Sequence, residues 1–304
     1  MDMNNLTEKI CGLKKKLNAV ILAHNYQLGE VQDIADFTGD SLELSFKAAE
    51  SKCDIIVFCG VTFMAETASI LAPGKTVLLP VLAAGCPMAD MADAKTLEEM
   101  KKEHPGSLVV TYVNSTAEVK AISDVCVTSA NAVKIVSSLP ADKEIIFVPD
   151  KNLGAYTAKK TGRKMILWPG YCPTHMRITQ EQILKRKREF PDAKVIVHPE
   201  STGDVIALAD EVLSTGGMMK FAKNTDARRV IVATETGLIY RLEKENPDKQ
   251  FIPVSEQAVC PNMKMTRLDD VVLSLEKKQH IIKVPDEIAE LARKPIEKML
   301  DMSR

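Results

Sequence analysis

One stretch of this chain occurs three times, and that repetition constrains what the chain can fold into. The run AVILAHNY at 19–26 returns as LVVTYVN at 108–114 and as KVIVHPE at 194–200. Aligned on His24, Tyr112 and His198, the copies sit 88 and 86 residues apart. Two positions on stand Tyr26, Asn114 and Glu200; twelve on, Asp36, Asp124 and Asp210; seventeen on, Ser41, Ser129 and Thr215. At offsets of 62, 60 and 62 come Cys86, Cys172 and Cys260, each followed by proline. Matching residue classes at nearly fixed offsets mark an internal repeat. Length alone, 304 residues at about 150 per domain, points to two domains. The repeat predicts three units of roughly 87 residues instead.

Each copy alternates short β-branched runs with amphipathic stretches. The runs read as buried parallel strands, and the alternation places helices on both faces of a sheet. The expected fold class is α/β: three pseudo-symmetric α/β/α domains, each a three-layer, Rossmann-like parallel sheet, around a central site. Unit 1 spans 1–90 and is joined by the C-terminal segment 262–304, which starts as a fourth unit would and then stops. Unit 2 spans 91–175 and unit 3 spans 176–261. If the units close into a ring, the helix of the last segment lies beside unit 1. Capping-box helix starts are expected at Thr96, Thr179 and Thr266, each a few residues past its cysteine.

In open parallel sheets, ligands bind beyond the carboxyl ends of the strands. His24 and Tyr26, Tyr112 and Asn114, and His198 and Glu200 all fall at such ends. Ser41, Ser129 and Thr215 precede helical patterns, where a hydroxyl beside free N–H groups suits a carboxylate or phosphate. Threefold symmetry turns the three sets toward one axis, which fits a small polyanion undergoing acid–base chemistry. The three aspartates are given a structural role instead, shaping the approach to the second strand.

The seven cysteines divide. Cys11, Cys53, Cys59 and Cys126 lie in apolar surroundings and are expected to be core thiols. Cys86, Cys172 and Cys260 are equivalent by repeat, and three thiolates converging on an axis need a cation. Zinc with three thiolates and a water fits; so does a [4Fe–4S] cluster with one iron lacking a protein ligand. A centre with an open coordination position binds substrate oxygen or nitrogen as a Lewis acid, so dehydration or condensation is expected. GxGxxG, GxxxxGK[ST] and GxSxG motifs are absent.

Forty basic residues against 41 acidic ones give −1, which argues against bulk nucleic-acid or membrane binding. The longest uncharged stretch, Thr76 to Ala89, is interrupted by Pro80, Gly85 and Pro87 and is too short for a membrane span. The first residues lack an apolar signal core, so a reducing cytoplasm and free thiols are expected.

Ten segments carry a family resemblance. Among them are AHNYQ at 23–27, GDSLELS at 39–45, GCPMADM at 85–91, TYVNST at 111–116 and VTSANA at 127–132. WPGYCPTHMRIT at 168–179, VHPES at 197–201, STGGM at 214–218, TETGLIYRLEKENPDKQFIP at 234–253 and CPNMKMT at 260–266 follow in order. Together they closely resemble the quinolinate synthase family. The resemblance implies three α/β/α domains around a central [4Fe–4S] cluster, one per chain, bound by Cys86, Cys172 and Cys260. It implies condensation of iminoaspartate with dihydroxyacetone phosphate to quinolinate, phosphate and water, in NAD biosynthesis. A separate aspartate-oxidising enzyme would supply the iminoaspartate. Substrate contacts carry over to His24, Ser41, Tyr112, Asn114, Ser129, His198, Glu200 and Thr215. Tyr26, His198 and Glu200 are expected to move protons. His175, three residues after Cys172, fits a supporting role beside the cluster and a plain loop histidine equally, and Glu235 has no repeat partner; both stay outside the expected site.

Overall fold

The computed structural model describes residues 3–304. Twelve strands form three separate four-stranded sheets, all of whose pairings are parallel. The first holds β1 (Ala19–His24), β2 (Phe37–Gly39), β3 (Ile55–Cys59) and β4 (Thr76–Leu78). The second holds β5 (Leu108–Tyr112), β6 (Val125–Val127), β7 (Ile145–Val148) and β8 (Met165–Leu167). The third holds β9 (Lys194–Val197), β10 (Glu211–Val212), β11 (Arg229–Ala233) and β12 (Gln250–Pro253). Each sheet has the same order, second, first, third, fourth. The architecture is therefore the three-part α/β arrangement that the repeat predicts. Central strands are buried along nearly their whole length, as continuous Val/Ile runs require when helices cover both faces.

The repeated aspartates fix the first strand of each unit. Asp36 accepts the Ile21 N–H at 2.8 Å and returns its own N–H to the Ile21 carbonyl at 2.9 Å. Asp124 does the same to Val109, at 2.7 and 3.0 Å, and Asp210 to Val195, at 2.8 Å both ways. Each carboxylate thus adds one rung to the ladder just before the short second strand begins.

Helix starts follow the repeat more closely than the threonine pattern does. The caps are Asp93, Thr179 and Arg267, each seven residues past its cysteine. Thr179 caps as expected, with Gln182 closing the box. Thr96 instead lies inside its helix, donating its hydroxyl to Asp93 at 2.7 Å. Thr266 precedes the cap Arg267, whose N–H is taken by Asp270 at 2.9 Å. Aspartate caps as well as threonine does, and it occupies the repeat position in unit 1.

Helix Leu268–Lys277 lies against helix Met3–Leu17. Leu268, Val271 and Leu275 share a core with Leu6 and Ile10, and Lys9 pairs with Glu276 at 2.8 Å. The last helix, Asp286–Ser303, buries Ala292, Ile296, Met299 and Leu300. It lies against helices Thr62–Leu71 and Ala117–Ala121, so it straps the first sheet's layer to the second's. One cysteine departs from expectation: Cys11 is exposed, because Leu6 and Ile10 hold the inward face and Cys11 follows one step round the helix. Cys59 and Cys126 are buried, and Cys53 is half-buried. Among the described residues no helix is long and apolar enough to cross a membrane.

Candidate active site

The carboxyl ends of β1, β5 and β9 converge on one cavity of about 180 Å³. All twelve residues singled out in the sequence line it. Val61, Phe63, Met64, Met88 and Met263 supply an apolar wall.

The two histidines are held alike. His24 Nδ1 accepts the Tyr26 N–H at 3.2 Å, and His198 Nδ1 accepts the Glu200 N–H at 3.4 Å. With Nδ1 an acceptor, Nε2 carries the proton and is the free donor. Burial pushes both imidazoles down to about 3, against the opposing pull of Glu200, so both are neutral at ordinary pH. His198 Nε2 donates to Ser129 at 3.2 Å.

The serine and threonine positions differ from simple caps. Asp40 and Ser214 cap helices Ser41–Glu50 and Thr215–Asn224, which leaves the Ser41 and Thr215 hydroxyls at the first helical residue. No capping bond consumes them. Asn25 donates to Thr215 Oγ1 at 2.9 Å, and Ser214 donates to Asp40 at 3.1 Å, both linking the first unit to the third. Ser129 lies ahead of the cap Asn131.

A buried polar line crosses the site. Tyr26 Oη meets Thr234 Oγ1 at 2.5 Å, and Thr234 meets His175 Nε2 at 2.8 Å. His175 Nδ1 lies 2.7 Å from Glu200, and Tyr112 donates to the other Glu200 oxygen at 2.6 Å. Burial pushes the Glu200 carboxyl up, but His175, His198 and the bonds from His175 and Tyr112 outweigh it and hold it below its ordinary value. Burial and Glu200 push both the Tyr26 and Tyr112 phenols well up, so both keep their protons. Hydroxyl, imidazole and carboxylate in line is the arrangement that activates a hydroxyl elsewhere.

Cys86, Cys172 and Cys260 are each followed by a one-turn helix, Ala89–Met91, His175–Arg177 and Asn262–Lys264. Backbone N–H groups of Ala89, His175 and Met263, each three residues on, face the sulfurs. Burial nonetheless pushes all three thiols up, Cys86 to about 12, so a bound cation is what would make them thiolates. Cys172, His175 and Glu200 also place ligand atoms within 4.8 Å of one another, a group able to hold a metal.

Sequence patterns missed Thr234 and set His175 aside. At the place of Thr234 the other units carry Gly60 and Pro149, so the repeat offers no signal. His175, three residues after Cys172, was the available hint: that spacing puts its ring 3.2 Å from the sulfur.

Comparison with known proteins agrees with this geometry. A family model described as Quinolinate synthetase A protein matches residues 8–301. A quinolinate synthase of Dehalococcoides mccartyi (strain CBDB1) is 60% identical over 295 residues, 97% of each chain. Those of Geotalea uraniireducens and Thermodesulfovibrio yellowstonii are 55% and 52% identical, over 100% and 99% of each chain.

Proposed function

The chain belongs to the quinolinate synthetase A family, its activity is accordingly quinolinate synthesis for NAD biosynthesis, and we propose how this cavity performs it. Iminoaspartate and dihydroxyacetone phosphate condense there to quinolinate, phosphate and water. The observation that carries this reading is that three units deliver three cysteines and one acid–base line to a single cavity.

Cys86, Cys172 and Cys260 would hold one [4Fe–4S] cluster per chain. The residues present fit such a group: all three cysteines line the one cavity, and the backbone N–H groups facing their sulfurs favour the negative charge of an iron–sulfur cluster. When bound, a cluster with one open iron supplies a Lewis acid for a substrate oxygen or nitrogen.

The chain's own groups bind and protonate. His24 and His198 donate from Nε2, and with the hydroxyls of Ser41, Ser129 and Thr215 they receive carboxylate and phosphate oxygens. Asn114 Oδ1 is buried without a partner, so it takes a substrate donor such as an imine N–H or a hydroxyl. Tyr26, kept as a phenol, gives its proton to a departing hydroxyl and is reprotonated along Thr234 and His175. The replacement proton enters at His175 from solvent; Glu200 stays ionised and stabilises the imidazolium formed until that proton passes through Thr234 to Tyr26, while Tyr112 holds the carboxylate in place.

The substrates are small anions, and neither nucleic acid nor membrane is a partner. Iminoaspartate is an oxidised aspartate, so a separate aspartate-oxidising enzyme supplies it. The free thiols suit the cytoplasm. The test is anaerobic purification with iron and sulfide analysis, followed by quinolinate detection. About four irons and four sulfides per chain, with quinolinate formed, are expected. One zinc without sulfide, or no quinolinate from cluster-replete protein, would overturn the reading.

A further inference from the structure

One cavity hydroxyl is oriented from outside the cavity. Thr215 Oγ1 accepts from Asn25 Nδ2 at 2.9 Å, and Asn25 Oδ1 accepts from Arg241 Nη1 at 2.8 Å. Neither Asn25 nor Arg241 lines the cavity. Arg241 belongs to helix Gly237–Glu245 of the third unit, and Asn25 follows β1 of the first. Arg241 Nη1 also donates to the Thr38 carbonyl, and its Nε donates to Glu245 at 2.6 Å, so the guanidinium is held at two nitrogens. Asn25 is wholly buried, and its backbone N–H and carbonyl are spent on Gly39 at 3.0 Å and Gln32 at 3.3 Å.

The order of donors follows from Arg241. A guanidinium has N–H groups and no acceptor, so the oxygen of the Asn25 amide faces it and the NH2 group faces Thr215. An amide NH2 only donates, so Thr215 Oγ1 is its acceptor and keeps its own proton. That proton has no acceptor among the described residues, although Thr215 is buried and lines the cavity. A positive charge behind the amide polarises it and strengthens the next bond in the chain. At the place of Asn25 the other copies carry Val113 and Pro199, whose side chains cannot donate. The device belongs to one unit alone.

We propose that Asn25 and Arg241 are positioning residues, which together commit the Thr215 hydroxyl to donating into the cavity, to a carboxylate or phosphate oxygen of a substrate. The inference rests on the reading that Thr215 holds substrate during quinolinate formation.

Cluster-loaded protein is assayed for quinolinate, with KM for dihydroxyacetone phosphate and for iminoaspartate measured in turn while the other is saturating. Thr215→Val should raise one of the two KM values about tenfold or more, the weight of a charge-assisted hydrogen bond, with kcat little changed. The substrate with the larger rise tells whether Thr215 meets phosphate or carboxylate. Asn25→Asp is close to isosteric and pairs with Arg241, but it presents an acceptor where Thr215 met a donor. The Thr215 proton then turns to the new carboxylate, and the same KM should rise to the same extent. Added to Thr215→Val, Asn25→Asp should change little further. A second rise of the same size would mean that the new charge repels the substrate directly, and would overturn the proposal. Arg241→Met frees the amide to turn and should raise that KM severalfold, whereas Arg241→Lys, again a donor without an acceptor, should recover most of the affinity. Equal KM values in these two variants overturn the part given to Arg241. Wild-type KM values in Asn25→Asp overturn the orientation of Thr215 by Asn25. Wild-type values in Thr215→Val overturn the reading that Thr215 holds substrate, and absence of quinolinate from the unmutated protein overturns the functional reading itself, before any variant is made.

Discussion

Tyr112 donates its hydroxyl to Glu200 at 2.6 Å, although the two residues stand 88 positions apart and extend from different sheets. Tyr112 is the repeat counterpart of His198, and Glu200 that of Asn114. The bond therefore joins non-equivalent positions of two units, and it fixes the carboxylate at the end of the buried hydrogen-bonded line.

Replacing that carboxylate should silence the chemistry. Glu200→Gln leaves His175 without an anionic partner, and a lost acid–base group costs about 10²–10⁴-fold in rate. Quinolinate formation is the readout, with KM changing far less than kcat. Wild-type kcat in the variant would remove Glu200 from the mechanism.

Thr234 stands between Tyr26 and His175. Thr234→Ala should lower kcat by about 10²-fold, the lower end for a proton-transfer group, while substrate binding holds. Thr234→Ser restores a hydroxyl and should recover most of the rate. If alanine and serine behave alike, the hydroxyl does not carry protons.

Cysteine substitutions should separate ligands from bystanders. Cys86→Ala is expected to purify anaerobically with little iron or sulfide, whereas Cys53→Ala keeps the wild-type content. Equal loss in both would make the effect one of folding.

Acid should weaken the fold through its buried imidazoles. His24 and His198 titrate near 3 in the folded protein but near 6.5 when exposed. The unfolded chain thus binds more protons, so their contribution is intact above about pH 6.5 and is lost progressively as pH falls toward 3. His198→Asn should flatten urea-measured stability over that window. An unchanged slope would show that His198 stays out of the acid response.

Asp124 offers a test of the strand clamp away from the site. Asp124→Ala strands the N–H of fully buried Val109, a loss of about 1.5–3 kcal/mol for a charged hydrogen bond. A fall in thermal midpoint without loss of bound iron is expected.

Much of this arrangement could be read from spacing. Offsets of the aspartates and cysteines gave three like sheets and marked residues that the fold gathers in one cavity, because strand ends and the loops after them are local features repeated in order. What spacing could not give depends on how the units meet. Thr234 acquires its partners, and His175 its bonds to Thr234 and Glu200, only across unit boundaries, and their counterparts in the other copies differ. The caps at Asp93 and Arg267 were misplaced by three residues and one, since a threonine near a helix start looks like a cap until the backbone bonds are traced. Cys11 looked apolar by its neighbours in sequence, but it lies off the buried face of its helix.

The common strand order of the three sheets sets a limit on how alike the copies can be. Three glutamates at the Glu200 position would crowd one cavity with like charges. Because the three copies lie in one polypeptide, that position is free to be a phenol in the first, an amide in the second and a carboxylate in the third, so a repeated scaffold hosts an asymmetric set of groups.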